Sequence, residues 1–473
     1  MNSKAIKLLF KQIFSISLMI FSLTLYSQRA LAQNEVLQDG ENPYGSDNQS
    51  SKVTEADKIL LDSLEADDYQ LMKKLLLRHN NPNATDKNGI SALMYGCKSE
   101  NKAVVMRLLS AGAKVGATDN RGRTALHYAA LKGNYIITDL LIGQRAKIDV
   151  KDNDGITPAM LAAKSGNMRI LRKLFIETKI NDKDYYGRSL LYYSIIGANS
   201  EMVDFLLEKN ADINSKTLIE QNLLFAAAES RNREMIDKFI GKNLPVDSKD
   251  IFNRTPLTVS AENGCYECME SFLNAKASPF TVTSKGETLL MIVSKGNNIP
   301  MVKRLIGAGI KLNIQDKSGK TALHYAVEQN NTALAETELN FGAATDISDK
   351  NGNSVLLKAV EKENLKLVQI LLKSKADANT VNNHQLSPIM VATEKGNADI
   401  AGNLIANGAN INTVSSNGTT VLMAACKSGM YDFVTLLLQW GADPRQKNQN
   451  GKSAMDFAIS ENRSKIIELL AGN

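Results

Sequence analysis

The sequence repeats itself at a constant interval over most of its 473-residue length. The units begin at residues 86, 119, 152, 184, 217, 250, 283, 316, 349, 382, 415 and 448, and only the step from 152 to 184 is one position shorter than the others. A fixed period of about 33 residues predicts a solenoid, in which each unit is one supersecondary element stacked on its neighbours. Because such a unit cannot bury its own apolar face, we expect contacts between units, rather than separate globular cores, to hold the chain together.

Each unit begins with a tight turn followed by a helix start. The turn ends in glycine, as in Asp86-Lys-Asn-Gly89, in nine of the twelve units, and Glu220, Asn253 and Gln385 replace that glycine in the others. Two residues later every unit has Ser, Thr or Asn, whose side chains accept hydrogen bonds from the free N–H groups of a helix start. These predicted caps are Ser91, Thr124, Thr157, Ser189, Asn222, Thr255, Thr288, Thr321, Ser354, Ser387, Thr420 and Ser453.

Two helices are predicted to follow each cap. In the first helix a large apolar residue such as Leu93 precedes a small one such as Gly96 by three positions, which lets neighbouring helices approach closely. A polar break, often Gly-Asn as at Gly133-Asn134, leads to a second helix with a leucine pair such as Leu108-Leu109. The sequence therefore predicts an all-α repeat solenoid of helix–turn–helix units joined by hairpin loops.

The segments 122–130 (GRTALHYAA), 155–163 (GITPAMLAA) and 319–326 (GKTALHYA) resemble the signature of ankyrin repeats. The resemblance extends over residues 53–473 and implies about thirteen units. It also implies binding of protein partners through the hairpin tips and through the concave face formed by the first helices. His127 and His324 occupy one slot of this signature, and the resemblance implies a structural role for them.

The two ends of the predicted array are atypical, as expected of units that face water on one side. Residues 53–85 form a degenerate first unit without the turn glycine, and residues 448–473 form a last unit that stops after its second helix. The internal units occupy residues 86–447. The core positions assigned to the first unit are Leu60, Leu71, Leu75 and Leu76.

Residues 1–32 have the pattern of a signal peptide. Three lysines precede an apolar run, Ile13 to Leu25, which is shorter than the roughly 20 residues needed to cross a bilayer. The small residues of Ala30-Leu31-Ala32 predict cleavage after Ala32. Residues 33–52 are polar and read as a flexible leader. We therefore expect a periplasmic or secreted protein with no membrane attachment after cleavage.

The composition and motifs give no sign of catalysis. The formal net charge is +6, and the four cationic residues before position 33 leave only about +2 on the remainder, so a nucleic-acid partner is not expected. No nucleophile motif, phosphate loop or set of metal ligands appears, and we expect neither cofactor nor metal. These observations favour a monomeric, non-enzymatic scaffold for a protein partner. The alternatives are an effector secreted to host proteins and a redox accessory protein.

The four cysteines fall into two groups. Cys97 and Cys426 stand where other units have alanine, so we expect buried thiols. Cys265 and Cys268 open a second helix, and residues three apart there are close enough for a disulfide. In an oxidising compartment a structural disulfide is expected. Free thiols and a redox function remain as alternatives.

Three consecutive turns carry apolar residues where most turns carry polar pairs such as Lys317-Ser318. A contiguous apolar patch marks an interaction site, and aromatic residues with arginine are its usual hot spots. The expected partner-binding residues are Tyr185, Tyr186, Arg188, Leu218, Ile219, Ile251, Phe252 and Arg254. The alternative is that these residues fold back and pack beneath the hairpins. Neighbouring side chains at the tips point in opposite directions, which is compatible with partial burial of one residue of each pair.

One position departs from the pattern of the second helices. Glu338 stands where the other units place a large apolar residue. A lone buried carboxylate is costly. We therefore expect this helix to be rotated so that Leu339 fills the core position, which would leave a weak place in the unit that begins at residue 316.

Overall fold

The computed structural model describes residues 55–66, 68, 70–72, 74, 81–175 and 179–472. The predicted signal peptide and leader lie outside the described residues. In this part of the chain each unit from residue 86 onward is a pair of short antiparallel helices preceded by a hairpin turn, and β-structure is confined to isolated bridges such as Thr85 to Ser91. The expectation of an all-helical repeat solenoid is confirmed.

The helices follow one another in regular alternation. Helix α1 (Glu55–Glu65) belongs to the unit before residue 86. The first helices of the following units are α2 (Ala92–Lys98), α4 (Ala125–Lys132), α6 (Pro158–Lys164), α8 (Leu190–Ile196), α10 (Leu223–Glu229), α12 (Pro256–Glu262), α14 (Leu289–Lys295), α16 (Ala322–Glu328), α18 (Val355–Glu361), α20 (Pro388–Glu394), α22 (Val421–Ser428) and α24 (Ala454–Ser460). The second helices are α3 (Lys102–Ser110), α5 (Tyr135–Gly143), α7 (Met168–Leu174), α9 (Ser200–Glu208), α11 (Arg233–Gly241), α13 (Tyr266–Asn274), α15 (Ile299–Gly307), α17 (Thr332–Asn340), α19 (Leu365–Lys373), α21 (Ala398–Ala406), α23 (Tyr431–Gln439) and α25 (Ser464–Ala471).

The helices begin where the sequence predicts, because side chains satisfy the free N–H groups of their first turns. All twelve predicted cap residues stand at the N-terminus of a first helix, and Ser91, for example, accepts a hydrogen bond from the N–H of Met94 at 3.3 Å. Asparagine caps most of the second helices, as Asn101 does for the N–H of Val104 at 3.2 Å. Each cap fixes the register of its helix and therefore fixes which residues face the core.

The core runs continuously between units. Each first helix packs against the first helix of the next unit and against the second helix of its own. Leu93 and Leu126 are fully buried at equivalent positions, and Gly96 lies so close to the second helix that an added Cβ would be 3.1 Å from Val104 Cγ1. The large-then-small spacing of the sequence therefore sets how closely the helices pack.

A single backbone hydrogen bond joins each hairpin turn to the next. Leu218 N donates to Tyr186 O at 2.9 Å and Lys317 N donates to Lys285 O at 2.9 Å, and the equivalent bond links every pair of consecutive turns from residue 86 to residue 451. The turn glycines have positive φ, and Glu220, Asn253 and Gln385 adopt the same left-handed conformation where glycine is replaced, with φ of 66°, 60° and 57°. The turns thus keep one geometry whatever their sequence.

Helix α17 is not rotated, so the expectation for Glu338 is wrong. Glu338 is fully buried at the core position, while Leu339 is only partly buried. The cap Asn331, which accepts from Leu334 N at 3.0 Å, holds the register, and a rotation would expose Leu334 and Ala335, which are also fully buried. The other units place a large apolar residue at this position: Leu108, Leu141, Leu174, Leu206, Phe239, Phe272, Leu305, Leu371, Leu404, Leu437 and Leu470.

The buried carboxyl group of Glu338 has one hydrogen-bond donor. Ser294 Oγ, on α14 of the preceding unit, donates to Glu338 Oε1 at 2.5 Å, and Oε2 has no hydrogen-bond partner within the described residues. Burial raises the pKa of Glu338 to about 7, although the Ser294 hydrogen bond opposes the shift. The joint between these two units therefore contains a carboxyl group that titrates near neutral pH.

Candidate protein-binding surface

Three exposed apolar side chains project from three consecutive hairpin turns. Tyr185 is 60% exposed, Leu218 is 65% exposed and Ile251 is 39% exposed. They occupy the same position in their turns, immediately after the first turn residue, and the backbone bonds between turns join them in one row. We call Tyr185, Leu218 and Ile251 the tip row. Most other turns carry a polar residue at this position.

The second residue of each predicted pair is covered. Ile219 is 6% exposed. Tyr186 donates its hydroxyl to Asp154 Oδ1 of the preceding turn at 2.9 Å, and the guanidinium of Arg188 lies 4.8 Å from its ring centre. The Arg254 guanidinium lies 5.4 Å from the ring centre of Phe252. The eight predicted residues are therefore brought together on three adjacent turns, with three side chains outward and the other five beneath or beside them.

A buried aspartate holds the turn beneath Tyr185. Oδ1 of Asp184 accepts from the N–H groups of Tyr186 and Arg188 at 2.9 and 2.8 Å. Its Oδ2 accepts from Arg188 Nε at 2.6 Å and from the Tyr193 hydroxyl at 2.7 Å. Burial, with the Asp184 carboxylate beside it, raises the pKa of Tyr193 far above its usual range. This set of four bonds makes the turn rigid, and Asp250 and Arg254 repeat its ion pair two turns later.

Four lysines form a column beside the tip row. Lys151, Lys183, Lys216 and Lys249 are exposed, and each immediately precedes the first residue of its turn. We call these four residues the lysine row. The same position is Thr118 in the unit before and Val282 in the unit after, and a further lysine stands there only in the last unit, as Lys447. Lys183, Lys216 and Lys249 precede the three turns of the tip row, and Lys151 precedes the turn before them. Sequence reasoning missed this column, although aligning the units at their common period reveals it.

The ends of the first helices carry a second group of charged residues that sequence reasoning also missed. Several units place glutamate at one position there, and basic groups of the same unit hold some of these carboxylates: Arg254 contacts Glu262 at 3.2 Å and Lys320 contacts Glu328 at 2.7 Å. Tyr192 donates its hydroxyl to Glu229 of the next unit at 2.6 Å. The glutamates at this position are Glu229, Glu262, Glu328, Glu361 and Glu394.

The histidines of the repeated signature are helix caps. The N–H of Thr124 donates to His127 Nδ1 at 3.1 Å, and His127 Nε2 lies 3.1 Å from the carbonyl oxygen of Ile156 in the next unit. Burial lowers the pKa of His127 and of His324, which keeps both rings neutral. Within the described residues no group of three or more His, Cys, Asp or Glu side chains could hold a metal ion. The same part of the chain has no helix long and apolar enough to span a membrane.

The four cysteines form two groups, one of buried free thiols and one of a bonded pair. Cys97 and Cys426 are buried and free, and burial raises the pKa of both thiols to about 12. Cys265 and Cys268 are joined across the first turn of α13, with their Cα atoms 5.3 Å apart. Cys265 stands at the cap position that asparagine holds in most units, and its Sγ lies 3.3 Å from the N–H of Cys268. The pair thus adds a covalent link to the helix cap.

Thiol counting tests whether this link forms in the cell. In exported protein denatured without reductant, two thiols per chain are expected to react, because Cys97 and Cys426 become accessible while the pair stays oxidised. Mass spectrometry after alkylation measures the count. A Cys265→Ser variant provides the control and should show three reactive thiols. A count of four in the unmutated protein would show that the pair is reduced.

The comparisons with known proteins agree with this architecture. A family model described as ankyrin repeats (3 copies) matches the chain in several overlapping segments, at residues 60–152, 132–217, 267–337, 289–382, 335–415 and 389–473. These matches cover most of the chain, which therefore belongs to the ankyrin-repeat family. No curated protein matches the chain. Proteins built from ankyrin repeats are generally protein-binding modules, and this chain has their architecture.

The family matches leave out residues 218–266, which include two of the three tip residues. In this segment Glu220 and Asn253 replace the turn glycines, and Leu218 and Ile251 replace polar tip residues. The helix pairs nevertheless continue through it as α10 to α12 and into α13. The segment thus departs from the family in its loops while it keeps the packing of the helices.

Proposed function

We propose that this protein is an exported, non-enzymatic scaffold that binds a protein partner through the tip row and the side chains that support it. The observation that carries the proposal is the coincidence of three exposed apolar side chains with three consecutive turns. Exposed apolar groups at one repeated position, on a protein whose other turns are polar, favour an interaction site. The supporting Asp184 and Arg188 contacts add rigidity, which lowers the entropy lost on binding.

Export rests on the sequence of residues 1–32, and a place in the periplasm or outside the cell follows from it. Fractionation of cells and medium, with detection by an antibody against the repeats, tests this part of the proposal. Recovery in the periplasm or the medium, with residues 1–32 removed, is expected. Recovery in the cytoplasm with residues 1–32 retained would contradict export.

Replacing the tip residues should abolish partner binding without unfolding the protein. In a Leu218→Asp, Ile251→Asp variant the capture of the partner by crosslinking in native extract is expected to fall at least roughly tenfold, because two apolar anchors become charged. Circular dichroism should show a melting temperature within a few degrees of the unmutated protein, because both positions are exposed.

The matched control is a Ser284→Asp, Ser416→Asp variant. Both serines are exposed at the same turn position, outside the tip row, so this variant adds the same charge without removing apolar anchors. It should capture the partner normally. Equal loss in both variants, or normal capture by the tip variant, would refute the proposed site. Ile219 and Phe252 are unsuitable targets, because one is buried and the other partly covered, so their replacement would also affect folding.

A further inference from the structure

We propose that the partner presents an acidic amphipathic α-helix whose apolar residues recur every seven positions, and that these residues contact the tip row while its carboxylates contact the lysine row. This inference rests on the proposed function and specifies the chemistry of the partner. It follows from two features of the surface: the spacing of the three anchors and the charge beside them.

The anchors are held at the spacing of one unit. The bonds from Leu218 N to Tyr186 O at 2.9 Å and from Ile251 N to Ile219 O at 3.2 Å tie each turn to the next. Packed helices lie about 8–10 Å apart, so successive anchors repeat at about that distance. The row is therefore a rigid set of three contacts that a partner must match along a line of about 20 Å.

An α-helix matches this spacing on one face. With a rise of about 1.5 Å per residue, seven residues advance about 10 Å and complete nearly two turns, so residues seven apart point the same way. In an extended strand three residues advance about 10 Å, but their side chains point to opposite faces. A polyproline segment repeats every three residues at about 9 Å, but such segments dock in aromatic-lined grooves, and only Tyr185 of the three anchors is aromatic.

The lysine row determines the charge of the matching helix. Lys151 Nζ donates to Lys183 O at 3.0 Å, and Lys183 Nζ donates to Lys216 O at 3.0 Å, so these two side chains lie along the row and their ammonium groups sit at the joints between turns. Lys151 also lies 5.9 Å from the ring centre of Tyr185. Glu220, which contacts Lys216 at 3.1 Å, offsets only part of this charge. A partner with carboxylates beside its apolar stripe complements the surface.

Synthetic peptides test the proposal directly on the full mature chain. The probe is a fluorescent helical peptide of about three heptads, with leucine at every seventh position and glutamate at the flanking positions. One comparison peptide has lysine in place of glutamate, and a second is a proline-rich acidic peptide with leucine at every third position. Fluorescence anisotropy should show at least roughly tenfold tighter binding of the acidic helix than of either comparison peptide, and added salt should weaken it.

Variants of the protein connect this binding to the two rows. The Lys183→Gln, Lys249→Gln variant should bind the acidic helical peptide roughly tenfold more weakly than the unmutated protein does. The Leu218→Asp, Ile251→Asp variant should not bind this peptide. The Lys317→Gln, Lys350→Gln variant, changed at exposed turn positions outside the two rows, should bind the acidic helical peptide as the unmutated protein does. Circular dichroism of each variant verifies that the protein is folded. Binding that is equal for the lysine peptide, or tighter for the proline-rich peptide, would overturn the inference.

The result separates this inference from the proposed function. If the tip variant no longer captures the native partner but the unmutated protein does not bind the acidic helical peptide, the proposed binding site is supported and the proposed chemistry of the partner is wrong. If the tip variant keeps capture of the native partner, the proposed site itself fails, whatever the peptides do.

Discussion

Replacing Glu338 with leucine is expected to stabilise the protein by at least about 3 kcal/mol at pH 8 and to remove a pH dependence of its stability. The pKa of Glu338 is raised by burial from its ordinary value of 4.5 to about 7. Each pKa unit corresponds to about 1.4 kcal/mol, so keeping the ionised carboxylate buried costs about 3 kcal/mol. Leucine also restores the apolar contacts that the equivalent residue makes in the other units.

The direction of the pH effect follows from whether Glu338 has the higher pKa in the folded or in the unfolded protein. Because the pKa of Glu338 is higher in the folded than in the unfolded protein, the folded protein keeps its proton to higher pH. The protonated form of Glu338 therefore makes its full contribution to the free energy of unfolding below about pH 4.5. This contribution is lost as the pH rises to about 7. Between these values the melting temperature of the unmutated protein should fall with pH relative to that of the Glu338→Leu variant.

Two further variants make this test specific. Glu338→Gln keeps the shape of the side chain but cannot ionise, so it should remove the pH-dependent difference without the full gain in stability. Glu336→Gln, at an exposed position of α17, should leave the pH dependence as it is. Thermal unfolding at pH 5 and pH 8, together with hydrogen exchange of the α17 amides, measures both effects. An unchanged pH dependence in Glu338→Gln would refute the assignment.

Replacing Asp184 with alanine is expected to destabilise the protein by about 3–5 kcal/mol. The substitution removes four hydrogen bonds and leaves the guanidinium of Arg188, whose side chain is only 15% exposed, without its carboxylate. It also leaves the hydroxyl of Tyr193 without its acceptor. Removing one partner of a buried ion pair costs this much because the remaining charge stays buried. Urea unfolding followed by circular dichroism measures the loss.

The chain contains its own control for this prediction. Asn382 occupies the equivalent turn position, and its Oδ1 accepts from the N–H groups of His384 and Leu386 at 2.9 and 3.0 Å. No arginine pairs with it, because the residue four positions later is Leu386. Asn382→Ala should therefore cost only about 1–2 kcal/mol. Asn382 Nδ2 also donates to Asn353 Oδ1 at 3.1 Å, where Asp184 has its bonds to Arg188 and Tyr193. Equal losses in the two variants would show that the ion pair of Asp184 contributes no more than this neutral bond.

Much of the fold could be predicted from the sequence because local rules and the repeat agree. Ser91 and its eleven equivalents stand at the starts of first helices as predicted, and all but Thr124 and Thr321 accept a hydrogen bond there through the side chain, since capping needs only one side chain and the backbone beside it. The positions of Leu93 and Gly96 follow from the spacing within one helix. Each of these signals lies within a few residues of the structure that it determines, and it recurs in successive units.

The features that were missed depend on contacts between units or on side-chain direction. Ser294, which makes the burial of Glu338 tolerable, lies 44 residues away in sequence, so no local pattern indicates it. The sequence left two interpretations of the tip pairs open, an exposed binding patch or packing beneath the hairpins, and did not indicate which residue of a pair would be covered. The structure shows Leu218 exposed and Ile219 buried, because the backbone of the turn sets the direction of each side chain.

The bond between neighbouring turns uses only backbone atoms, so it does not depend on which unit comes next. If residues 316–348 were excised, the N–H of Lys350 would meet the carbonyl of Lys285 in the place that Lys317 vacates. The chain can therefore gain or lose whole units during evolution without a new kind of joint. An insertion between the turns of Tyr185 and Ile251, however, would divide the one surface whose function depends on adjacency.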